Sequence, residues 1–276
     1  MSPNWDGQSV TANGASFNYY CTPGAKDSGK PVLVLQHGFS DNGLCWAPVA
    51  QELAADYDIL MPDARGHGRS ARVARGERID QAADLAALMR ALGVQHAVVG
   101  GHSMGAQIAA DLGARFPEMV TALALEDPPW FLPRPEASQG PRGTMEESPL
   151  GKWMISLKDK SLEQIMVECR QEHPSWPEAY VQAWCQGKKE LDLSFLAADH
   201  PMGRWQERVS AIRCPVLLIT ADPGQGGIVT PEVAHMASEM NPNIRVVNFP
   251  GVGHHVRFAV HEAYMRALKA FLREVA

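Results

Sequence analysis

Short apolar runs of strand length recur along the chain, and stretches with helical spacing separate them. The runs are rich in Val, Leu and Ile and are bounded by Gly, Pro or Asp. Because they are apolar throughout, they predict strands buried on both faces, as in a mainly parallel sheet covered by helices. The runs occupy residues 32–36, 59–62, 97–100, 123–125, 216–219 and 245–249.

Between these runs, apolar residues recur at spacings of three and four, which predicts helices on the outside of the sheet. The predicted helices cover residues 47–55, 79–92, 107–116, 233–240 and 263–275. An antiparallel strand is also predicted over residues 17–21. Alternating strands and helices are typical of the doubly wound α/β class, whose ligands bind at the carboxyl ends of the strands.

The alternation stops between Pro128 and about Arg208. The segment DPPWFLPRPEASQGPRG is too rich in Pro and Gly for regular structure, and stretches with helical spacing follow it. We interpret residues 128–208 as an inserted helical cap, and residues 1–127 and 209–276 as the core domain. Five of the seven tryptophans lie in or beside the insertion, where they either fill its core or line an apolar pocket.

The composition excludes several classes of protein. A chain of 276 residues that is 45 % hydrophobic can bury a substantial core, but its net charge of −6 and scattered Lys and Arg argue against a nucleic-acid partner. Neither an export signal nor a run of eighteen uncharged apolar residues occurs, so we expect a cytoplasmic protein without membrane attachment. The five cysteines form no CxxC pair, which predicts reduced, mostly buried thiols and no zinc site.

The stretch VVGGHSMGAQ carries the candidate chemistry. Ser103 stands between Gly101 and Gly105, after a predicted strand and before a predicted helix. A serine nucleophile must be exposed and must have a base nearby. A tight strand-to-helix turn exposes it by straining its backbone, and glycines are needed because the two elements pass too closely for side chains. The motif therefore predicts a nucleophile elbow at Ser103.

With this motif in its strand–turn–helix context, the chain resembles the α/β-hydrolase family from about residue 30 to the C terminus. The resemblance implies an eight-stranded, mainly parallel sheet and a catalytic serine, acid and histidine in that chain order. NFPGVGHHVRF places His254 after Gly-x-Gly, as in the family's histidine loop, so His254 is the expected general base. The adjacent His255 is the competing candidate.

The acid has two candidate positions. CPVLLITADPGQGGIVTPE resembles the seventh strand of the family and the loop that carries its carboxylate, and Asp222 is the expected acid there. The spacing departs from the commoner family pattern, in which more residues separate the strand from the acid. Some members use a carboxylate after the sixth strand instead, where Glu126 and Asp127 stand in this chain.

LQHGFSDN resembles the family's oxyanion loop. The resemblance implies that the backbone N–H groups of Phe39 and Met104 stabilise the oxyanion, and that His37 braces the loop. His102 is expected to point away from the elbow, and DARGHGRS, residues 63–70, is expected to be scaffold. The candidate pocket residues are His37, Trp46, Trp130, Trp153 and Trp184.

These residues predict a serine hydrolase, carboxylesterase-like, acting on an ester, lactone or amide of a small, mainly apolar molecule. Within this fold, the resemblance implies that an aspartate at the elbow would suggest an epoxide hydrolase or a haloalkane dehalogenase, so Ser103 argues against both. Carbon–carbon bond hydrolysis and cofactor-free perhydrolase or haloperoxidase activity use the same triad and stay open. No metal or nucleotide motif occurs, so no cofactor is expected.

A ligand sensor built on a hydrolase scaffold is the alternative from another class. Plant hormone receptors that resemble this family keep the triad, so the motifs alone do not separate the two. Turnover separates them, because a sensor performs one slow event whereas an enzyme cycles many times.

Overall fold

A single eight-stranded sheet forms the centre of the computed structural model, which describes residues 5–22, 28–132, 144–200 and 203–275. Its strands, in chain order, are β1 (Gln8–Ala12), β2 (Ala15–Cys21), β3 (Val32–Gln36), β4 (Asp58–Pro62), β5 (Ala97–His102), β6 (Val120–Glu126), β7 (Val216–Thr220) and β8 (Ile244–Asn248). The spatial order is β1-β2-β4-β3-β5-β6-β7-β8. β2 pairs antiparallel with β1 and β4, and the remaining pairs are parallel. The predicted fold class is confirmed.

The strand order places a crevice between β3 and β5. From β3 the chain turns to β4 on one side, and from β5 it turns to β6 on the other. Open α/β sheets bind ligands at such a reversal, outside the carboxyl ends of the strands. The loop after β3 and the turn after β5 therefore face each other where a site is expected.

The helices in the described ranges agree with the spacing of apolar residues, with differences at their ends. They are α1 (Ala47–Leu53), α2 (Gln81–Ala91), α3 (Met104–Arg115), α4 (Pro149–Ser156), α5 (Leu162–Glu172), α6 (Glu178–Glu190), α7 (Trp205–Ala211), α8 (Pro231–Met240), α9 (Val256–Ala259) and α10 (His261–Val275). α2 begins later than predicted because the Asp80 carboxylate caps it by accepting the Ala83 N–H. α3 begins three residues earlier than predicted, directly after Ser103.

Apolar side chains form a separate cluster on each face of the sheet, and a third cluster lies among the inserted helices. Along the chain, helices α4 to α7 follow β6 and precede β7. We call α4, α5 and α6 the cap helices. Residues 133–143 of the Pro- and Gly-rich segment lie outside the described residues, and the exact division into core and cap stays a prediction. In the described ranges, no helix has the length and apolar character needed to cross a membrane.

Candidate active site

Ser103 occupies a strained turn between β5 and α3. Its φ of +53° and ψ of −118° are a conformation that residues with a side chain rarely adopt. A Cβ at Gly101 would lie 2.2 Å from the Gly105 carbonyl oxygen, and one at Gly105 would lie 2.1 Å from the Gln36 carbonyl oxygen. The two glycines therefore permit the close approach of β3, β5 and α3 that leaves Ser103 half-buried at the crevice.

His254 contacts a carboxylate at the end of β6. Its Nδ1 lies 2.6 Å from Oδ2 of Asp127, whose side chain is fully buried. Asp127 has a φ of +44°, and its carboxylate also accepts the backbone N–H groups of Ile228 and Val229 at 2.9 and 3.0 Å. Because a carboxylate accepts, Nδ1 of His254 carries the proton and Nε2 is left available as a base.

Asp222, the residue expected to be the acid, lies elsewhere. Its carboxylate accepts the backbone N–H groups of Gly224 and Gly251, each at 2.8 Å, and so joins the loops that follow β7 and β8. Asp127 and not Asp222 is hydrogen-bonded to His254, so the geometry favours the second of the two candidate positions for the acid. The physical reason is the left-handed backbone at Asp127, the first residue after β6, where the carboxylate meets the histidine loop.

Glu126, the other alternative, belongs to a buried ion pair. Its Oε2 accepts from the Arg257 guanidinium at 2.8 Å and its Oε1 from the Arg257 backbone N–H at 3.0 Å, and both side chains are fully buried. Burial raises the pKa of the Glu126 carboxyl, and Arg257 opposes that shift. The pair joins α9, which follows the histidine loop, to the end of β6.

The two expected oxyanion donors flank the crevice. Met104 is the first residue of α3, so its backbone N–H has no partner within the helix and points out of the helix N terminus. Phe39 lies in a turn that the Asp41 N–H closes onto the Gly38 carbonyl at 3.2 Å. We call residues 38–41 the oxyanion turn.

His37 braces this turn from behind, in the manner that the resemblance implies. Its Nδ1 donates to the Gly38 carbonyl at 2.8 Å, and its Nε2 accepts the Ala64 N–H at 2.9 Å. Burial lowers the pKa of His37, which keeps the neutral ring that this pair of bonds requires. His37, one of the candidate pocket residues, is fully buried.

His102 contributes a contact that the sequence did not indicate. Its Nε2 lies 3.0 Å from the backbone carbonyl of His254, and the two rings are 4.5 Å apart between centroids. Burial lowers the pKa of His102 well below its usual range, so the ring is neutral. The residue before Ser103 is thus hydrogen-bonded to the backbone of the candidate base.

His255, the competitor for the role of base, faces the inserted helices instead. Its ring lies 5.1 Å from that of Trp176 and 6.4 Å from that of Trp184. Burial and the neighbouring His254 lower its pKa well below the usual range. His255 therefore contributes an aromatic surface beside the base.

Two of the candidate pocket tryptophans are core residues. Trp46 is fully buried beneath the Arg257 guanidinium, 4.1 Å from its ring centroid. Trp130 is fully buried, stacks on Trp205 at 5.3 Å, and donates its Nε1–H to Gln107 at 2.9 Å. Both side chains therefore pack in the interior of the protein.

Trp153 and Trp184 do stand in a continuous group of rings. Trp153 is 37 % exposed, Trp184 is 7 % exposed, and their centroids are 6.0 Å apart. Trp176, which the sequence analysis did not select, lies 5.8 Å from Trp184 and also contacts His255. We call Trp153, Trp176, Trp184 and His255 the aromatic wall, since they lead from the surface to the candidate base.

One group of possible metal ligands occurs within the described residues. Single ligand atoms of Asp41, His102 and His255 lie within 4.8 Å of one another. The Lys188 ammonium, however, donates to Oδ1 of Asp41 at 2.7 Å. That positive charge neutralises the group's only carboxylate and repels a divalent cation, so the group does not suit a metal.

A family model described as alpha/beta hydrolase fold matches residues 31–149. The chain is 26 % identical over 259 residues to 2-(acetamidomethylene)succinate hydrolase of Mesorhizobium japonicum, covering 90 % of this chain and 89 % of the relative. It is 27 % identical to N-formylmaleamate deformylase of Pseudomonas putida, over 99 % of this chain and 98 % of the relative. Lipase 3 of a Moraxella species is 28 % identical over 82 % of this chain and 72 % of the lipase.

Solved structures share the same fold. E-2-(acetamidomethylene)succinate hydrolase superposes with a TM-score of 0.72 at 19 % identity, over 98 % of this chain and 100 % of the other. The thioesterase domain from the curacin biosynthetic pathway also has a TM-score of 0.72, at 20 % identity, over 96 % of this chain and 100 % of the other. At these identities the likeness extends to the fold.

Proposed function

We propose that the chain, which has the α/β-hydrolase fold, is a hydrolase that cleaves a carboxylic ester, lactone or amide of a small, mainly apolar molecule through an acyl-enzyme on Ser103. The observation that carries the proposal is the 2.6 Å contact between His254 Nδ1 and the buried Asp127 carboxylate, together with the strained backbone of Ser103 at the elbow. This is the constellation that nucleophilic acyl transfer requires.

In the proposed mechanism, Nε2 of His254 takes the proton of Ser103 as the hydroxyl oxygen attacks the carbonyl carbon. The negative charge on the carbonyl oxygen is stabilised by the backbone N–H groups of Phe39 and Met104. His254 then gives its proton to the leaving group, and the acyl group stays on Ser103. A water molecule, deprotonated by His254, attacks the acyl-enzyme, and collapse of the second intermediate returns the proton to Ser103.

We assign the acid to Asp127. Its carboxylate fixes the Nδ1–H tautomer of His254 and stabilises the positive charge that the ring acquires in each step. The N–H groups of Ile228 and Val229 hold that carboxylate in place.

The aromatic wall supports an apolar or aromatic acyl or leaving group. Its rings present flat apolar faces from the surface inward to His255, next to the base. Such faces bind apolar groups by excluding water. Trp153 lies in α4, Trp184 lies in α6, and Trp176 lies in the loop between α5 and α6. The cap helices and this loop would then select the substrate.

The test combines a fluorophosphonate probe with a series of p-nitrophenyl esters. We expect the probe to label wild type at Ser103 and to leave Ser103→Ala unlabelled, with butyrate or benzoate esters turned over faster than the acetate. Unlabelled wild type would contradict the nucleophile. A preference for acetate, with no gain from longer or aromatic acyl groups, would contradict the apolar pocket. A single turnover of the ester, with no further cycles, would support the alternative of a ligand sensor on a hydrolase scaffold.

Amides deserve a separate test because one of the similar proteins is named for an acetamido substrate and another for removal of a formyl group. Esters and amides use the same nucleophile, base and oxyanion donors, so the choice depends on protonation of the leaving nitrogen by His254. A matched pair, phenyl butyrate and butyranilide, tests it. Amide turnover within about tenfold of the ester would favour an amidase, since that ratio corresponds to about 1.4 kcal/mol of activation free energy.

A further inference from the structure

The oxyanion turn is held between two unrelated elements. On one side, Gly38 lies against β5, where an added Cβ would sit 2.7 Å from Nδ1 of His102. Ser40 has a φ of +61°, so the turn is strained and needs support from its surroundings.

On the other side, cap helix α6 contacts the backbone of the turn. A Cβ at Gly187 would lie 2.8 Å from both the Asp41 Cα and the Ser40 carbonyl oxygen, so the helix backbone and the turn are in direct contact. The next residue, Lys188, donates its ammonium to Oδ1 of Asp41 at 2.7 Å and to the Ser40 carbonyl at 3.4 Å. Asn42 adds a bond to Glu190 at 2.8 Å.

The Lys188–Asp41 pair is buried and charged. The two side chains are only 3 % and 1 % exposed. Burial acts to raise the pKa of Asp41, but the charge and hydrogen bond of Lys188, with the charge of Arg257, lower it to about 2. Removing one partner of such a pair leaves the other charge buried without compensation. The pair therefore resists displacement of the turn from α6.

The same lysine also touches the aromatic wall. Its ammonium lies 4.1 Å from the centroid of the Trp184 ring, within the range of a cation–π contact. Lys188 thus joins the surface proposed to bind substrate to the turn that carries the Phe39 N–H.

We propose that Lys188 is a positioning residue for the oxyanion hole: through Asp41 and the Ser40 carbonyl, it holds the oxyanion turn so that the Phe39 N–H faces the developing oxyanion. The inference rests on the proposed function. If Lys188 has this role, the inserted helices contribute to stabilisation of the transition state as well as to selection of the substrate. Misplacing a donor by about 1 Å can cost as much as about a hundredfold in rate.

The experiment compares Lys188→Met with wild type on p-nitrophenyl butyrate and on a phenylalkyl trifluoromethyl ketone. Ser103 Oγ adds to the ketone carbon, its proton passes to His254, and the ketone oxygen becomes an anion in the oxyanion hole. We expect kcat to fall by about ten- to a hundredfold with KM within about twofold, because the lost contact acts on the transition state. Ketone affinity should fall by the same factor, whereas affinity for butyrate, the product, should not change.

Lys189→Met is the matched control. The Lys189 ammonium donates to the carbonyls of Lys158 and Lys160, so its loss weakens the inserted helices without touching the oxyanion turn. We expect the control to keep wild-type ketone affinity. Gly187→Ala, which pushes on the turn without removing a charge, should repeat the effect of Lys188→Met, and it replaces that variant if Lys188→Met does not fold.

Equal losses of ketone affinity in Lys188→Met and Lys189→Met would overturn the positioning role, since both would then reflect a loosened insertion. The positioning role would also be overturned if Lys188→Met or Gly187→Ala bound the ketone as tightly as wild type does. If wild type itself neither hydrolyses the ester nor binds the ketone at Ser103, the proposed function fails and the positioning role fails with it. The wild-type assay therefore distinguishes the two failures.

Discussion

The imidazole of His102, the residue before the nucleophile, lies with Nε2 3.0 Å from the backbone carbonyl of His254. A carbonyl can only accept, so Nε2 carries the proton of the neutral ring. The bond connects the end of β5 to the loop of the base across 152 residues of sequence. The bond therefore fixes the turn of Ser103, the proposed nucleophile, relative to the loop of His254, the proposed base.

We expect His102→Leu to lower kcat by up to about tenfold, because one net hydrogen bond is worth about 0.5–1.5 kcal/mol. His102→Gln should restore most of the loss, since its amide can donate to the same carbonyl. Steady-state kinetics on p-nitrophenyl butyrate, with circular dichroism as the check on folding, measures both. Equal rates in the Leu and Gln variants would show that the hydrogen bond does not position His254.

The choice of acid gives a second prediction. Asp127→Asn should reduce kcat by about 10⁴-fold, because an amide in place of the carboxylate favours the wrong tautomer of the base and cannot stabilise its charge. Asp222→Asn should reduce it by less than about tenfold, since Asp222 only joins two loops through hydrogen bonds of modest net value. The two rates on one ester decide the assignment, and a large loss at Asp222 with a small one at Asp127 would reverse it.

The fold was predictable where burial acts directly on local sequence. Strands such as β5 and β7 are buried at every position, so each appears in the sequence as a continuous apolar run. β1 was missed because most of its residues are exposed or half-buried and it carries no such run. The start of α3 was predicted late because its first turn contains Gly105, whose role is close approach rather than helix propensity.

The candidate site was predictable only as far as a motif fixes geometry locally. The two glycines around Ser103 impose the elbow, so it could be inferred from five residues. The partner of His254 could not, because Asp127 and Asp222 both follow buried strands and only the left-handed backbone at Asp127 decides between them. The complete burial of Trp46 and Trp130 could not be inferred either, since large apolar side chains suit a pocket and a core equally well.

A third prediction concerns the buried pair of Glu126 and Arg257. Arg257→Met should lower the free energy of unfolding by about 3–5 kcal/mol, because it leaves a buried carboxylate without its partner. Glu126→Gln combined with Arg257→Met should be more stable than Arg257→Met alone, since the amide removes the charge and still accepts the backbone N–H of residue 257. Urea unfolding at pH 7 measures both variants, and a double variant no more stable than Arg257→Met would contradict coupling of the pair.

The last prediction follows from the buried neutral histidines. Burial lowers the pKa values of His67, His102 and His255 well below 6.5, so the folded chain binds fewer protons than the unfolded chain as pH falls below about 6.5. Stability is therefore greatest above that pH and decreases towards acid, and each such histidine removes about 1.4 kcal/mol between pH 7.5 and 5.5.

His67→Asn isolates one contribution, because its amide can donate to the Arg65 carbonyl as Nδ1 of His67 does at 3.1 Å but does not titrate. Urea unfolding at the two pH values should show a loss about 1.4 kcal/mol smaller in the variant than in wild type. An unchanged pH dependence would mean that His67 binds protons equally in both states, which its complete burial beside the Phe195 ring opposes.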